Sequence, residues 1–283
     1  NIYGINHKMI SIVIPTYKRE ENQKAYNNLP KEIQERVVVA THSGRGSILK
    51  QHNPTMNVHE WDAELFIPGV RQSCMELGEK VMIIDDQCIF MKRVYEGDKI
   101  KHVKLETAAE YAQMFIEIEK ELDNYFWVGP SPKSSNTLHK ESRSEIIRSY
   151  SCYGINSKMI QDAGVSFTVL EDENPQAKIL EDFYVLLAMF EKGHKNLMLH
   201  DWVFDHKHGT SGGNSVSRDN TVQEQSQIQL MKHFPNYVTQ YEKDNPSWVA
   251  EQGATTRTEV RVKWKAVYES SKVETANALD SFF

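Results

Sequence analysis

The stretch Val81–Ile89, VMIIDDQCI, constrains the fold more than any other. Four apolar residues, Val81 to Ile84, run without polar alternation straight into Asp85, Asp86 and Gln87. A short unbroken apolar run is the pattern of a strand buried on both faces, as in a parallel sheet. Acids at its carboxyl end project into the crevice where open α/β sheets bind ligands. Two adjacent carboxylates there can hold a divalent cation, and that cation can neutralise a diphosphate. Taken alone, the pattern also fits a strand that ends in an acidic turn, so its companions along the chain decide its meaning.

Those companions alternate in period. Met9–Ile14 (MISIVI) predicts a first, central strand stopped by Pro15. Arg19–Asn28 reads as a polar helix, Arg36–Ala40 as a second strand and Thr41–Gly46 as a glycine-bearing loop. Asn53–Pro68 has no clear period. In Pro68–Gly78, Val70, Cys74 and Leu77 fall on one helical face and Gly78 is an end signal. This strand–helix–strand alternation predicts a parallel sheet with right-handed crossovers. Cys88–Val94 resumes as a strand, and Glu106–Leu122 is an amphipathic helix with Ala109, Ala112, Met114, Phe115, Ile118 and Leu122 as its stripe. Phe126–Pro132 is a strand, Lys133–Ser151 a polar run, and Tyr150–Ile155 a strand whose successor Asn156 caps a helix over Ser157–Ala163. Lys178–Gly193 is a strong helix with Glu181 and Asp182 in its first turn and Gly193 at its end. Asn196–Phe204 is a strand, Asp205–Ser217 a loop rich in glycine and histidine, and Thr221–Phe234 a helix. The remaining tail is helical or extended.

With 283 residues the chain suits one large α/β domain with a small appendage. The division expected is a catalytic domain over 1–217 and a C-terminal helical extension over 218–283 packed on it. A formal net charge of −6 gives no global basic field, so a polyanionic partner needs a local patch. Two stretches offer one: Lys133, Lys140, Arg143 and Arg148, then Arg257, Arg261, Lys263 and Lys265 around Trp264. No apolar run approaches the ~18 residues that span a bilayer, and the first residues carry no secretory pattern. Cys74, Cys88 and Cys152 lack metal or redox spacing and read as buried thiols of a reducing compartment. A cytoplasmic location and no membrane partner are expected.

Four segments in order, SIVIPTY, PGVRQSCMELGEKVMIIDDQ, ILEDFYVLLAMFEKGH and DHKHGTSGG, resemble the nucleotide-sugar-dependent glycosyltransferases of the glycosyltransferase-A fold, over roughly residues 9–215. The resemblance implies an α/β fold with a mostly parallel central sheet flanked by helices, and a C-terminal helical or extended appendage. It implies a UDP-sugar donor and Mn²⁺ or Mg²⁺. By position, Pro15, Thr16 and Tyr17 cradle the nucleobase with Arg19 just beyond, and Arg71 contacts the nucleotide. Asp85 and Asp86 hold ribose and the metal-bound diphosphate, although Gln87 stands where a third acid is common. Asp182, beside Glu181, supplies the catalytic base of an inverting transfer. His206 or His208 closes the metal site with Asp86, while Lys207, Gly212 and Gly213 approach the diphosphate.

More narrowly, SCYGINSKMI, the ILEDF helix, SGGNS and EVRVKWKAVY resemble phage enzymes that add sugars to hydroxymethylated pyrimidines in DNA, the glycosyltransferases associated with TET/JBP oxygenases. That implies glucose as the sugar, DNA as partner and the host-cell cytoplasm as location. The two basic stretches would contact phosphates, with Arg261, Lys263 and Lys265 on one extended face, and the target base would be flipped out. Two other classes fit parts of the pattern. A nucleotidyltransferase making nucleotide sugars shares the doubly wound sheet and acidic site, but usually has a glycine-rich loop where Pro15-Thr16-Tyr17-Lys18-Arg19 stands. A non-catalytic DNA-binding accessory protein has no need of acids at 85, 86 and 182.

Overall fold

The computed structural model describes residues 10–61, 65–206, 220–244 and 256–280. The first apolar run is β1 (Ser11–Pro15), with Ile12, Val13 and Ile14 fully buried. Short helices α1 (Lys24–Asn28) and α2 (Lys31–Gln34) return the chain to β2 (Val37–His42), parallel to β1. The polar stretch expected to be helical from Arg19 is helical only from Lys24. Its first half is used otherwise. Asn22 N–H closes a turn on Arg19 O at 2.9 Å, and the Gln23 amide donates to Thr16 Oγ1 and Arg19 O at 2.7 Å each. Thr41 and His42, read as loop, complete β2, and the chain goes on through α3 (Gly46–His52) to β3 (Asn57–Trp61).

From β3, α4 (Ile67–Met75) leads back to β4 (Lys80–Ile84), which pairs with β1 on the side away from β2. The four strands β3-β2-β1-β4 are all parallel. The chain therefore reverses its direction of winding between β1 and β4, the topological switch point at which such sheets bind ligands. β4 is the double-sided buried strand its sequence predicts: Val81 to Ile84 are all 0% exposed.

β5 (Ile89–Glu96) turns through Gly97, at φ 60°, into β6 (Lys99–Lys104) as a tight hairpin. α5 (Ala108–Glu121) starts in a capping box between Thr107 and Glu110. Its buried stripe is Tyr111, Met114, Phe115 and Ile118, continued by Leu122, while Ala109 is exposed. Tyr111 displaces the alanines because its large ring fills the space edge-on to Phe90, 5.9 Å away.

β7 (Trp127–Pro132) precedes α6 (Lys133–Asn136), β8 (Arg143–Glu145) and β9 (Cys152–Asn156). Asn156 caps α7 (Ser157–Asp162), its side chain accepting from Met159 N–H at 3.0 Å. After α8 (Val169–Glu173) come α9 (Glu181–Glu191), β10 (Leu197–Asp205), α10 (Asn220–His233), the hairpin β11 (Val238–Asp244) and β12 (Thr256–Val262), and α11 (Trp264–Asp280).

Among the described residues the strands form a ten-stranded mixed sheet, β3-β2-β1-β4-β9-β7-β10-β5-β6, with β8 also on β10. β9 lies antiparallel between β4 and β7, an exception to the parallel pairing expected from alternation. The segment 146–151 reaches the crevice edge before β9 begins, so β9 can only run away from it. Gly129 permits that crossing, since a Cβ there would sit 2.9 Å from both Cys152 O and Ser149 Oγ. The carboxyl ends of β1, β2, β4, β7 and β10 and the amino end of β9 thus share one edge. One apolar layer packs α5 on the sheet; the other packs α4 and α9 and continues through Leu230, Phe234, Val267 and Tyr268 of the C-terminal part. No helix among the described residues is long and apolar enough to cross a membrane.

Candidate active site

Successive residues leaving a strand point to opposite sides, and Asp85 and Asp86 diverge accordingly. Asp86, 4% exposed, turns toward β1. Its Oδ2 accepts from Thr16 Oγ1 at 3.0 Å and its Oδ1 from Arg19 at 2.9 Å, while its carbonyl takes Ala25 N–H at 2.8 Å. Burial pushes its carboxyl up, against Arg19, and the Asp85 charge adds to the rise. Asp85 turns toward β9 and α4. It pairs with Arg71, and its N–H donates to Ser151 O at 2.8 Å. Burial would raise its carboxyl, but the Arg71 charge and then that of His206 outweigh it and hold it below the usual range.

Arg71, 7% exposed, rises from α4 between two acids. Besides Asp85 it meets Glu181, with Nε 4.0 Å from Oε1, and lies 5.7 Å over the Tyr153 ring. Its Nε and Nη1 are buried with no hydrogen-bond partner, as is the Tyr153 hydroxyl. Buried polar groups in folded proteins are normally satisfied, so two guanidinium nitrogens lacking an acceptor fit an anion with oxygens to spare. On α9, Glu181 is buried against Arg71, while Asp182 is half-buried with Oδ1 taking Phe183 N–H at 2.9 Å.

The helix begins at Glu181, three residues later than its sequence suggests, because Leu180 adopts the left-handed conformation (φ 69°, ψ 19°). Three of the four non-glycine residues with positive φ among those described, Lys18, Ser151 and Leu180, adjoin these acids or the turn after β1. Such strain costs of order 1–3 kcal/mol per residue and collects at functional sites. Ser226 of α10 steadies the Leu180 turn, its Oγ accepting Ile179 N–H at 3.3 Å.

The β1–β3 end of the edge is aromatic and was only partly legible. Tyr17 meets His42 edge-on at 4.6 Å, and His42 meets Trp61 at 6.2 Å. Arg45 lies 5.7 Å over Tyr17 and is held by buried Glu20. Thr41 Oγ1, His42 Nδ1 and Trp61 Nε1 are buried without partners. Pro15 ends β1, and the Thr16 hydroxyl donates to Asp86 and accepts from the Gln23 amide.

Lys207, His208, Gly212 and Gly213 lie outside the described residues. Among those described, no three His, Cys, Asp or Glu side chains gather into a closed metal cage. Asp85 offers a carboxylate oxygen, and His206, whose charge acts on it, an imidazole nitrogen. Mg²⁺ and Mn²⁺ are commonly held by one or two carboxylates with substrate phosphates completing the shell, so this pair fits such an ion.

The first basic stretch does not form one cluster. Lys133 pairs with Asp205 at 2.9 Å at the crevice, and Arg148 lies over Tyr150 and Phe183. Arg143 sits on β8 beside the opposite end of β10 and meets Glu121 at 3.4 Å; Lys140 is exposed in the link between. The second stretch is not extended throughout. β12 stops at Val262 and α11 starts at Trp264, whose ring packs on Phe183 and Phe190, so Lys265 leaves the face of Arg261 and Lys263. Glu259, on that same face, pairs with Arg257 and with Lys243 at 3.5 Å.

No protein family and no curated protein matches the chain in sequence. Solved structures match it in outline. GalNAc-T7, solved with UDP, GalNAc and Mn²⁺, aligns at 11% identity and TM-score 0.49 over 81% of this chain. The chain spans about half of that structure, 48%. The 4-diphosphocytidyl-2C-methyl-D-erythritol synthase of Anaerococcus prevotii aligns at 11% identity and TM-score 0.39, over 78% of this chain and 96% of that one. Mannose-1-phosphate geranyltransferase of Thermus thermophilus aligns at 8% and 0.42, over 70% and 76%. Likeness at this level says nothing of reaction, donor or acceptor.

Proposed function

We propose that the chain is a glycosyltransferase that moves a sugar from a UDP-sugar to a hydroxyl acceptor. The observation that carries this reading is the Arg71 fork, buried at the switch point between Asp85 and Glu181 with two nitrogens lacking a hydrogen-bond partner. A buried cation lacking two hydrogen-bond acceptors, beside a carboxylate and an imidazole at the carboxyl ends of the strands, suits a diphosphate. The aromatic Tyr17–His42–Trp61 end then suits the base. Asp85 and His206 would hold Mn²⁺ or Mg²⁺, which when bound offsets diphosphate charge.

In the transfer, Asp182 takes the proton of the acceptor hydroxyl as that oxygen bonds to the anomeric carbon. The bond from that carbon to the diphosphate oxygen breaks, and its electron pair leaves with UDP against Arg71. Attack opposite the leaving group inverts the anomeric centre. The finer reading is glucose as the sugar and the hydroxymethyl group of a modified pyrimidine in DNA as acceptor. It is supported by the sequence resemblance and by Lys133 and Arg148 at the crevice. The test is mass spectrometry of nucleosides after incubating UDP-glucose with hydroxymethylated and with plain DNA. A hexose adduct on the hydroxymethylated base alone supports the finer reading, and transfer only to other hydroxyls removes DNA from it.

A further inference from the structure

At the β7 and β10 end of the crevice lies a cavity of about 70 Å³ walled by Pro132, Lys133, Tyr150, Phe204, Asp205 and His206. A water needs roughly 10–15 Å³ of such space, so the cavity takes the edge of a ring and a substituent, not an oligosaccharide. Tyr150 meets Phe204 edge-on at 5.9 Å beneath it. The Arg148 guanidinium lies 4.7 Å from the Tyr150 ring and 4.6 Å from that of Phe183, the neighbour of Asp182. The Lys133–Asp205 pair closes the rim at 2.9 Å. The segment that carries Arg148 and Tyr150 is anchored at both ends. Ile147 exchanges hydrogen bonds with the Asn196 side chain at 3.0 and 2.7 Å, and Ser151 is fixed at φ 60° with its carbonyl on Asp85 N–H.

The order of the sheet gives this cavity a role. The aromatic end at β1–β3 and the Arg71–Asp85 anion site occupy one half of the crevice. Tyr150, which lines the cavity, adjoins Ser151, whose carbonyl accepts Asp85 N–H at 2.8 Å, so the cavity begins where the anion site ends. We infer that the cavity is the acceptor subsite, and that it takes a planar, hydroxyl-bearing ring stacked on Tyr150, which Arg148 backs. This rests on the transferase reading above. Tyr150 lines the cavity, and an aromatic ring backed by a guanidinium is a platform on which planar rings stack irrespective of their sequence context. The same ring chemistry can come from a nucleoside in solution or from a base exposed by a strand.

The test compares wild type with Tyr150→Ala, Tyr150→Phe and Arg148→Ala, using radiolabelled UDP-glucose. The acceptor probes are 5-hydroxymethyldeoxycytidine, a single strand carrying that base, and the corresponding duplex. Tyr150→Ala should raise acceptor KM at least about ten-fold, the size of a lost ring stack. Its affinity for UDP, read by calorimetry, should match wild type and so report a folded chain, and Tyr150→Phe should restore KM. The probe with the lowest wild-type KM identifies the source of the ring. Wild-type KM in both Tyr150→Ala and Arg148→Ala would overturn the subsite. Normal UDP binding with no transfer to any of the probes would overturn the planar-ring acceptor and leave the donor site standing. Absence of both UDP binding and transfer would sink the transferase reading itself.

Discussion

Replacing Arg71 by Met keeps the length of the side chain and removes its charge, and the effects can be worked from its surroundings. Its two partners, Asp85 and Glu181, have side chains only 23% and 9% exposed. Removing one member of a buried pair costs about 3–5 kcal/mol, because the other charge is left uncompensated. With Asp85 partly open to water, about 3 kcal/mol is expected at pH 7. The loss should depend on pH. Arg71 holds the Asp85 carboxyl below its ordinary value, so its contribution is present above the unfolded value near 3.9 and fades as pH falls through the folded one. Without Arg71, Asp85 protonates more readily, so the stability gap between variant and wild type should narrow on going from pH 7 to below about 4. Urea unfolding at the two pH values measures this. Calorimetry should also show UDP binding weakened by about 1.5–3 kcal/mol, the worth of a hydrogen bond to a charged group, or about 10- to 150-fold in Kd. A gap that does not change with pH, or a UDP affinity equal to wild type, would refute the reasoning.

Three further outcomes are expected. Asp182→Asn keeps shape without basicity, so turnover should fall about 10²–10⁴-fold with UDP affinity retained; unchanged turnover leaves Asp182 only a favourable charge in the first turn of its helix. Ser226→Ala strips the partner from Ile179 N–H and should cost about 1–3 kcal/mol in urea unfolding while lowering kcat more than UDP affinity, since it loosens the Leu180 turn. His200 is 0% exposed, stacked on His139 at 4.2 Å, and burial pushes it down to about 4. The unfolded chain therefore binds a proton near pH 6.5 that the folded chain refuses. Stability should fall by roughly 3 kcal/mol between pH 6.5 and 4, and His200→Asn should flatten that dependence in acid titration of unfolding.

What the sequence revealed follows from which elements are buried on all sides. β4 is legible because both faces are apolar, and α9 because its apolar run is bounded by Glu181-Asp182 and Gly193. β3 was hidden because of its five residues only Trp61 is buried, the other four being polar or half-exposed. β6 was hidden because it is an edge strand, KIKHVK, whose lysines keep an open edge soluble. The acids at 85, 86, 181 and 182 were visible as residues, but their division of labour was not. That Asp86 serves Thr16 and Arg19 while Asp85 serves Arg71 depends on where β1 and α4 sit, which no local spacing encodes. Nothing in the neighbours of Lys18, Ser151 or Leu180 marks a left-handed backbone. The basic stretch 133–148 misled for a related reason: nearness along the chain put Lys133 and Arg143 together, and β8 carries them to opposite ends of β10.

The central claim, that a nucleoside diphosphate is the leaving group at Arg71 and Asp85, is tested most directly by phosphorus NMR of the reaction. UDP-glucose, Mn²⁺ and the hydroxymethylated DNA are incubated with wild type and with Asp85→Asn, and separately with pyrophosphate in place of DNA. Wild type should convert UDP-glucose to UDP in step with sugar appearing on the acceptor, Asp85→Asn should not, and pyrophosphate should have no effect. Formation of UTP and glucose 1-phosphate from UDP-glucose and pyrophosphate, or UDP release undiminished in Asp85→Asn, would contradict it.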